Sequence, residues 1–319
     1  MGMTSGGHPS ADHAAVAMRH RAALLCVLVA VIAGCDPLVS GSPDLGRREG
    51  DFARENRLIA ANLEYAVGHG LDVYTPWPPA EAPLPAVVML HGCCGDRADL
   101  VKLAEHTAGA GVVVLNADWP GIGMHGRYPD AYATAACAVR FARVHAARYG
   151  GDPQRVTLVG WSDGALAAAV IALAPDELPR ASCRSAVALG VVRVVGVDGF
   201  YGWQLPVHER FVTARSKRFL GGSPDAAPRD WRDATPYHWI GRRRDAQVTL
   251  IIGARSPLMS DARTFARALD GAGNTADLVV LPSAPGSSPL SPRTEEGRLA
   301  AQMIAAVARA ESDHGDSDR

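Results

Sequence analysis

Between about residue 60 and residue 310, short apolar runs rich in β-branched residues alternate with stretches of helical spacing. "PAVVMLHG" (85–92) is such a run, ended by Gly, and its length and composition are those of a buried parallel strand. "ADLVKLAEHTAGAG" (98–111) follows with helical spacing and closing glycines. The alternation continues through "VVVLNADW" (112–119), the helix pattern "AYATAACAVRFARVHAARYG" (131–150) and "VTLVGWS" (156–162) with a helix behind it. Further on come "SAVALGVVRVVGVDGFYG" (185–202), "AQVTLIIGAR" (246–255), "SDARTFARAL" (260–269), "ADLVVLPS" (276–283) and a last helix near 294–310. This order predicts one α/β domain with a mainly parallel sheet and helices on both faces. In such sheets ligands gather at the carboxyl ends of the strands. A composition of 48% hydrophobic and 20% charged residues supplies the core. The net charge of -1 gives no basic field for nucleic acid, and "GRRRDA" (241–246) reads as a solvated face.

The N-terminus reads as a targeting segment outside the fold. "MRHRAALLCVLVAVIAGC" (18–35) has a basic start and an apolar run from Ala22 to Gly34. A spanning helix needs about 20 apolar residues, so this run fits a secretory signal better than a membrane span. Ile32-Ala33-Gly34-Cys35 resembles a bacterial lipobox, which implies cleavage before Cys35 and a diacylglycerol on its sulfur. An uncleaved anchor is the alternative. The stretch before Met18 is long for such a signal, so translation starts at Met1 or Met18. Residues 1–34 are thus expected to be a signal peptide, 35–60 a flexible tether, 61–311 the domain and 312–319 a polar tail. The expected location is the bacterial cell envelope, with the protein held at a membrane through lipidated Cys35.

Two stretches carry chemistry. Gly160-Trp161-Ser162-Asp163-Gly164 is a G-x-S-x-G pentapeptide between a strand and a helix. Its glycines leave room for a strained turn that lifts the Ser162 hydroxyl above the sheet as a nucleophile. "LHGCCGD" ends another strand on the same rim. A tetrahedral oxyanion needs two converging backbone N–H donors, and Asp163 and Cys93 are the expected pair. His91 in this loop is expected to brace it by hydrogen bonds. No Cys or His set has the spacing of a metal site.

On these residues the chain resembles the α/β-hydrolase superfamily, in its esterase/lipase and dienelactone-hydrolase-like branch. The resemblance covers roughly 60–310 and is carried by "LDVYTP", "PAVVMLHGCCG", "GRYPDAYATAACAVRFAR", "GWSDG", "RFLGGSPDAAPRDWRDATPYHW" and "TLIIGARSPLMSDARTFARALDGAGNTADLVVLPSAPG". It implies a three-layer fold on an eight-stranded, mostly parallel sheet. It also implies hydrolysis of small-molecule carboxylic esters through an acyl-enzyme, without metal or cofactor.

The sequence departs from the family at the other two members of the triad. Ser256 stands where the family carries its acid, and Gly286 where it carries its histidine. Asp198, after the sixth strand, is the best replacement acid, and Asp261 reads as a charge at the start of a helix. For the base, His125, His238 and His314 remain. Two functions of different class are therefore open: an ester hydrolase with a relocated base, or a hydrolase-fold binding lipoprotein without turnover. Among Cys93, Cys94, Cys137 and Cys183, the order of elements favours a bridge from the 93–94 loop to Cys137, with buried thiols as the alternative.

Overall fold

A computed structural model describes residues 56–174, 178, 183–190, 193–203, 212–282 and 295–310. The chain divides into two units, Met1–Arg47 and Arg48–Arg319, and all described residues belong to the second. The signal segment, Met1, Met18, Cys35, Gly286, His314 and the polar tail lie outside the described residues.

The sheet has eight strands: β1 (Asn56–Ala66), β2 (His69–Pro76), β3 (Leu84–Leu90), β4 (Val113–Ala117), β5 (Gly151–Trp161), β6 (Arg193–Val197), β7 (Gln247–Gly253) and β8 (Thr275–Leu281). Their order across the sheet is β1-β2-β4-β3-β5-β6-β7-β8. β1 and β2 pair antiparallel, as do β2 and β4, and the remaining pairs are parallel. The α/β-hydrolase fold class expected from the sequence is the one observed.

The helices are α1 (Val101–Gly109), α2 (Asp130–His145), α3 (Asp163–Leu173), α4 (Ala214–Phe219), α5 (Pro228–Asp233), α6 (Met259–Gly271) and α7 (Glu295–Arg309). Strand side chains alternate between the sheet faces, so each parallel strand feeds two cores. Val88, Leu90, Leu158, Val194 and Leu250 pack on the side of α2, α3 and α6. Val87, Met89, Val159, Val195 and Ile251 pack on the side of α1 and α7. All residues of α3 are buried, which is why "DGALAAAVIAL" shows no polar face.

Two departures from the sequence reading concern the edges of elements. β1 begins at Asn56, inside the stretch 35–60 read as tether, and closes a hairpin through Gly68 at φ 74. The helix read over 131–150 stops at His145 and ends in a 3-10 turn, Ala146–Tyr149, before Gly150 at φ 77.

The disulfide expectation is corrected. Cys137 bonds to Cys183, while Cys93 and Cys94 remain thiols. Cys137 lies in the body of α2, away from the loop at the carboxyl rim. The chain after α3 returns to the β1 edge, where Cys183 pairs with Ala66 and Arg184 N–H donates to Tyr65 O at 3.2 Å. That return brings Cys183 to the same side of the sheet as Cys137, which the order of elements alone does not reveal.

Candidate active site

Ser162 joins β5 to α3 at φ 54, ψ -120, a backbone conformation that L-residues rarely adopt. The surroundings hold it there. Its N–H donates to Val197 O at 3.0 Å, and its carbonyl accepts Ala165 N–H at 3.0 Å. The turn closes so tightly that a Cβ on Gly160 would fall 2.1 Å from Gly164 O. A Cβ on Gly164 would fall 2.5 Å from both Leu90 O and His91 O. The two glycines of the pentapeptide are thus required by backbone approach. Together they set α3 directly against the end of β3.

The loop after β3 is anchored by the buried His91. Its Nδ1 lies 2.9 Å from Gly92 O, and Nε2 accepts Trp119 N–H at 3.3 Å. Trp119 Nε1–H in turn donates to His91 O at 3.0 Å. Both ring nitrogens are committed, and burial holds the imidazole below its ordinary pKa. His91 therefore braces the loop, as expected. Arg97 extends the brace by pairing with Asp72 at 2.9 Å and with Asp118.

The Cys93 N–H expected as an oxyanion donor meets the Asp163 side chain. Cys93 N–H donates to Asp163 Oδ1 at 2.7 Å. Asp163 is 2% exposed, and its Oδ2 has no hydrogen-bond partner among the described residues. Burial pushes its carboxyl up to about 7 against the pull of its own N–H, the Cys93 N–H and the Ser162 hydroxyl. The motif implies only a backbone role for Asp163, and its side-chain contact is an addition that the structure makes.

Asp198 follows β6 at φ 47, and its N–H continues the ladder to Ile251 O at 2.9 Å. Its carboxyl is raised by burial and partly relieved by a hydrogen bond from the Ser256 hydroxyl. The replacement acid and the serine at the family's acid position therefore face each other. Asp261, in the first turn of α6, is buried and accepts Tyr201 N–H at 2.7 Å, so it organises the segment after Asp198.

The structure brings neither described candidate base to Ser162. His125 is exposed. His238 Nε2 lies 3.5 Å from Asp233 Oδ1, and its ring meets Trp239 edge-on. Among the described residues no imidazole hydrogen-bonds the Ser162 hydroxyl. Residues 204–211, which include His208, and 283–294, which include Gly286, lie outside the described residues.

A parallel-sheet α/β scaffold with a strained serine elbow facing a braced backbone loop defines the class of α/β-hydrolase-fold proteins. Within that class, the chain belongs to the BD-FAE family, whose model matches residues 71–264. It is 28% identical over 215 residues to Esterase LipC of Mycobacterium tuberculosis (strain ATCC 25618 / H37Rv), a match covering 62% of this chain and 51% of that protein. The chain thus spans about half the length of the curated relative it matches. A thermophilic esterase of Thermogutta terrifontis, solved with propionate bound, superposes with a TM-score of 0.58 at 24% identity, covering 78% of this chain and 91% of that one. A thermostable esterase of Pseudomonas putida ECU1011 gives 0.59 at 21%, covering 80% and 83%. These structural likenesses carry the fold.

Proposed function

We propose that this protein is a carboxylic-ester hydrolase acting on small-molecule esters through Ser162 and an acyl-enzyme. The observation that carries the reading is the strained Ser162 elbow beside the Cys93 N–H. Strain of this kind persists only where the surrounding structure enforces it, and it aims the hydroxyl at the carboxyl rim of the sheet. In the reaction Ser162 Oγ attacks the ester carbonyl. The carbonyl oxygen becomes an oxyanion and takes the N–H groups of Cys93 and Asp163. The ester C–O bond then breaks and the alcohol leaves with the proton that Ser162 gave up; water hydrolyses the acyl-enzyme, releasing the acid and restoring the Ser162 hydroxyl. Before that can happen the Asp163 carboxylate must give up the Cys93 N–H, because its side chain occupies this donor. Asp198 is the acid the proposal assigns for orienting a base.

The sequence features at 18–35 support a further part of the proposal: export and anchoring by a lipid on Cys35 in a bacterial envelope. Palmitate labelling of the wild type but not of Cys35→Ala is the expected result, and equal labelling of both would remove the anchor.

A binding lipoprotein without turnover is the second reading. It is favoured by the Asp163 carboxylate on the Cys93 N–H and by the lack of an imidazole on Ser162 among the described residues. Hydrolysis of short-chain p-nitrophenyl esters by wild type and Ser162→Ala separates the two. Turnover that needs Ser162 supports the hydrolase, and equal rates in both proteins support the binder.

A further inference from the structure

The oxyanion loop carries two adjacent cysteines that the hydrolytic reading does not use. Both are partly exposed thiols. Their sulfurs border one spot: a side chain on Gly123 would begin 2.6 Å from Cys94 Sγ and 3.4 Å from Cys93 Sγ. Cys94 sits at φ 63, and its N–H donates to Ile122 O at 3.2 Å. Arg215, on α4, places Nη1 2.8 Å from Cys94 Sγ. A guanidinium against a sulfur favours the thiolate, which is the reactive form of cysteine.

We infer that Cys93 and Cys94 form a reversible redox pair that is oxidised by peroxides and controls the oxyanion hole. This control rests on the ester-hydrolase reading above; the thiol chemistry does not. In the first step the Cys94 thiolate attacks one oxygen of hydrogen peroxide. The O–O bond breaks, hydroxide leaves and is protonated to water, and Cys94 becomes a sulfenic acid. The Cys93 thiol, losing its proton, then attacks that sulfur. The S–S bond forms, the S–O bond breaks and a second water leaves. Overall, two thiols are oxidised to a disulfide and one peroxide is reduced to two waters.

Neighbouring Cα atoms are ~3.8 Å apart across a trans peptide, shorter than the usual ~4.4–6.8 Å span of a disulfide. Ring closure must therefore turn the peptide between Cys93 and Cys94. That turn displaces the loop carrying the Cys93 N–H. A bridge so constrained is readily reduced, which makes the change reversible.

The test treats reduced, full-length protein with hydrogen peroxide, alkylates the remaining thiols and maps the masses of the cysteine peptides. The expected result is a peptide spanning 93–94 that has lost two hydrogens, escapes alkylation and recovers its thiols in dithiothreitol. Arg215→Gln should slow its formation about tenfold, because less of Cys94 is thiolate. Ester turnover should fall about 100-fold on oxidation, the scale of losing one oxyanion donor. It should not fall on oxidation in Cys94→Ser. Peroxide-treated protein in which both cysteines still alkylate, or in which one is overoxidised without a bridge, overturns the pair. A bridge that forms with turnover intact overturns its control of the site. The masses decide the redox pair even if reduced protein shows no turnover, a result that would count against the hydrolase reading alone.

Discussion

Asp163 Oδ1 accepts the Cys93 backbone N–H at 2.7 Å, so the side chain after Ser162 holds the donor assigned to the proposed oxyanion. A hydrogen bond to a charged group contributes about 1.5–3 kcal/mol, and a substrate must replace it. Removing the carboxylate should therefore speed acylation. Asp163→Ala is expected to raise kcat/KM for p-nitrophenyl butyrate about tenfold, since ~1.4 kcal/mol is a factor of ten. A loss of that size instead would mean that the carboxylate takes the Ser162 proton and serves as the base.

The same carboxyl should make stability depend on pH. Its folded pKa, raised to about 7 by burial, lies above the ordinary value of ~3.9. Between those values the native state keeps a proton that the unfolded chain has lost. Stability therefore falls as pH rises through ~4 to ~7, by up to about 4 kcal/mol at ~1.4 kcal/mol per unit. Asp163→Asn, which keeps an oxygen for the Cys93 N–H, should be more stable than wild type at pH 8 and nearly equal to it at pH 4. Urea titrations at both pH values measure the difference. A constant difference would mean that the group does not titrate in this window.

Asp198 and Ser256 change how the family's acid and histidine positions should be refilled. The Ser256 hydroxyl lies beside the Asp198 carboxyl and eases its burial, so an acid at position 256 would set two carboxylates against each other and push one of them neutral. Gly286→His alone, with Asp198 as the orienting acid, is expected to raise turnover at least about tenfold, within the range of general base catalysis. Gly286→His combined with Ser256→Asp should gain less. Kinetics of the two variants on one short ester decide the matter. The reverse order would show that Asp198 does not face the new histidine.

The Cys137–Cys183 bridge closes a loop with a sequence separation of 46. Constraining the unfolded chain over that length corresponds to about 4 kcal/mol in the loop-entropy model, and measured effects run about 2–4. Cys137→Ser with Cys183→Ser should lower the urea midpoint accordingly. Cys93→Ser with Cys94→Ser should leave it nearly unchanged. Equal losses in both pairs would contradict the assigned bridge.

Much of this molecule was legible in the chain. The parallel strands were readable because both their faces are buried, which makes runs such as "AVVML" and "TLIIG" continuously apolar. The Ser162 turn was readable because only glycine tolerates the contacts at 160 and 164. The β1–β2 hairpin was not recognised, because "NRLIAANLEYA" is an edge strand with exposed positions and lacks that continuous apolar signal. The Cys137–Cys183 pairing is not legible, because partner choice depends on the path of the chain between α3 and β6. The Asp163 side-chain contact was missed because the motif assigns that residue its backbone, and nothing local in the sequence shows where its carboxylate points. The facing of Asp198 and Ser256 follows from the pairing of β6 with β7, a long-range register that neither stretch states alone.

If Ser162 is the acylating nucleophile proposed above, the acyl-enzyme is its most direct sign. With no imidazole on Ser162 among the described residues, deacylation should be slower than acylation. Mixing the protein with p-nitrophenyl butyrate should then release a burst of nitrophenol close to one equivalent, followed by a slow steady rate. Intact-mass and peptide measurements should find one butyryl group on Ser162, and Ser162→Ala should show neither burst nor adduct. No burst, no adduct and no turnover from folded wild-type protein would contradict the claim and leave the binding reading in its place.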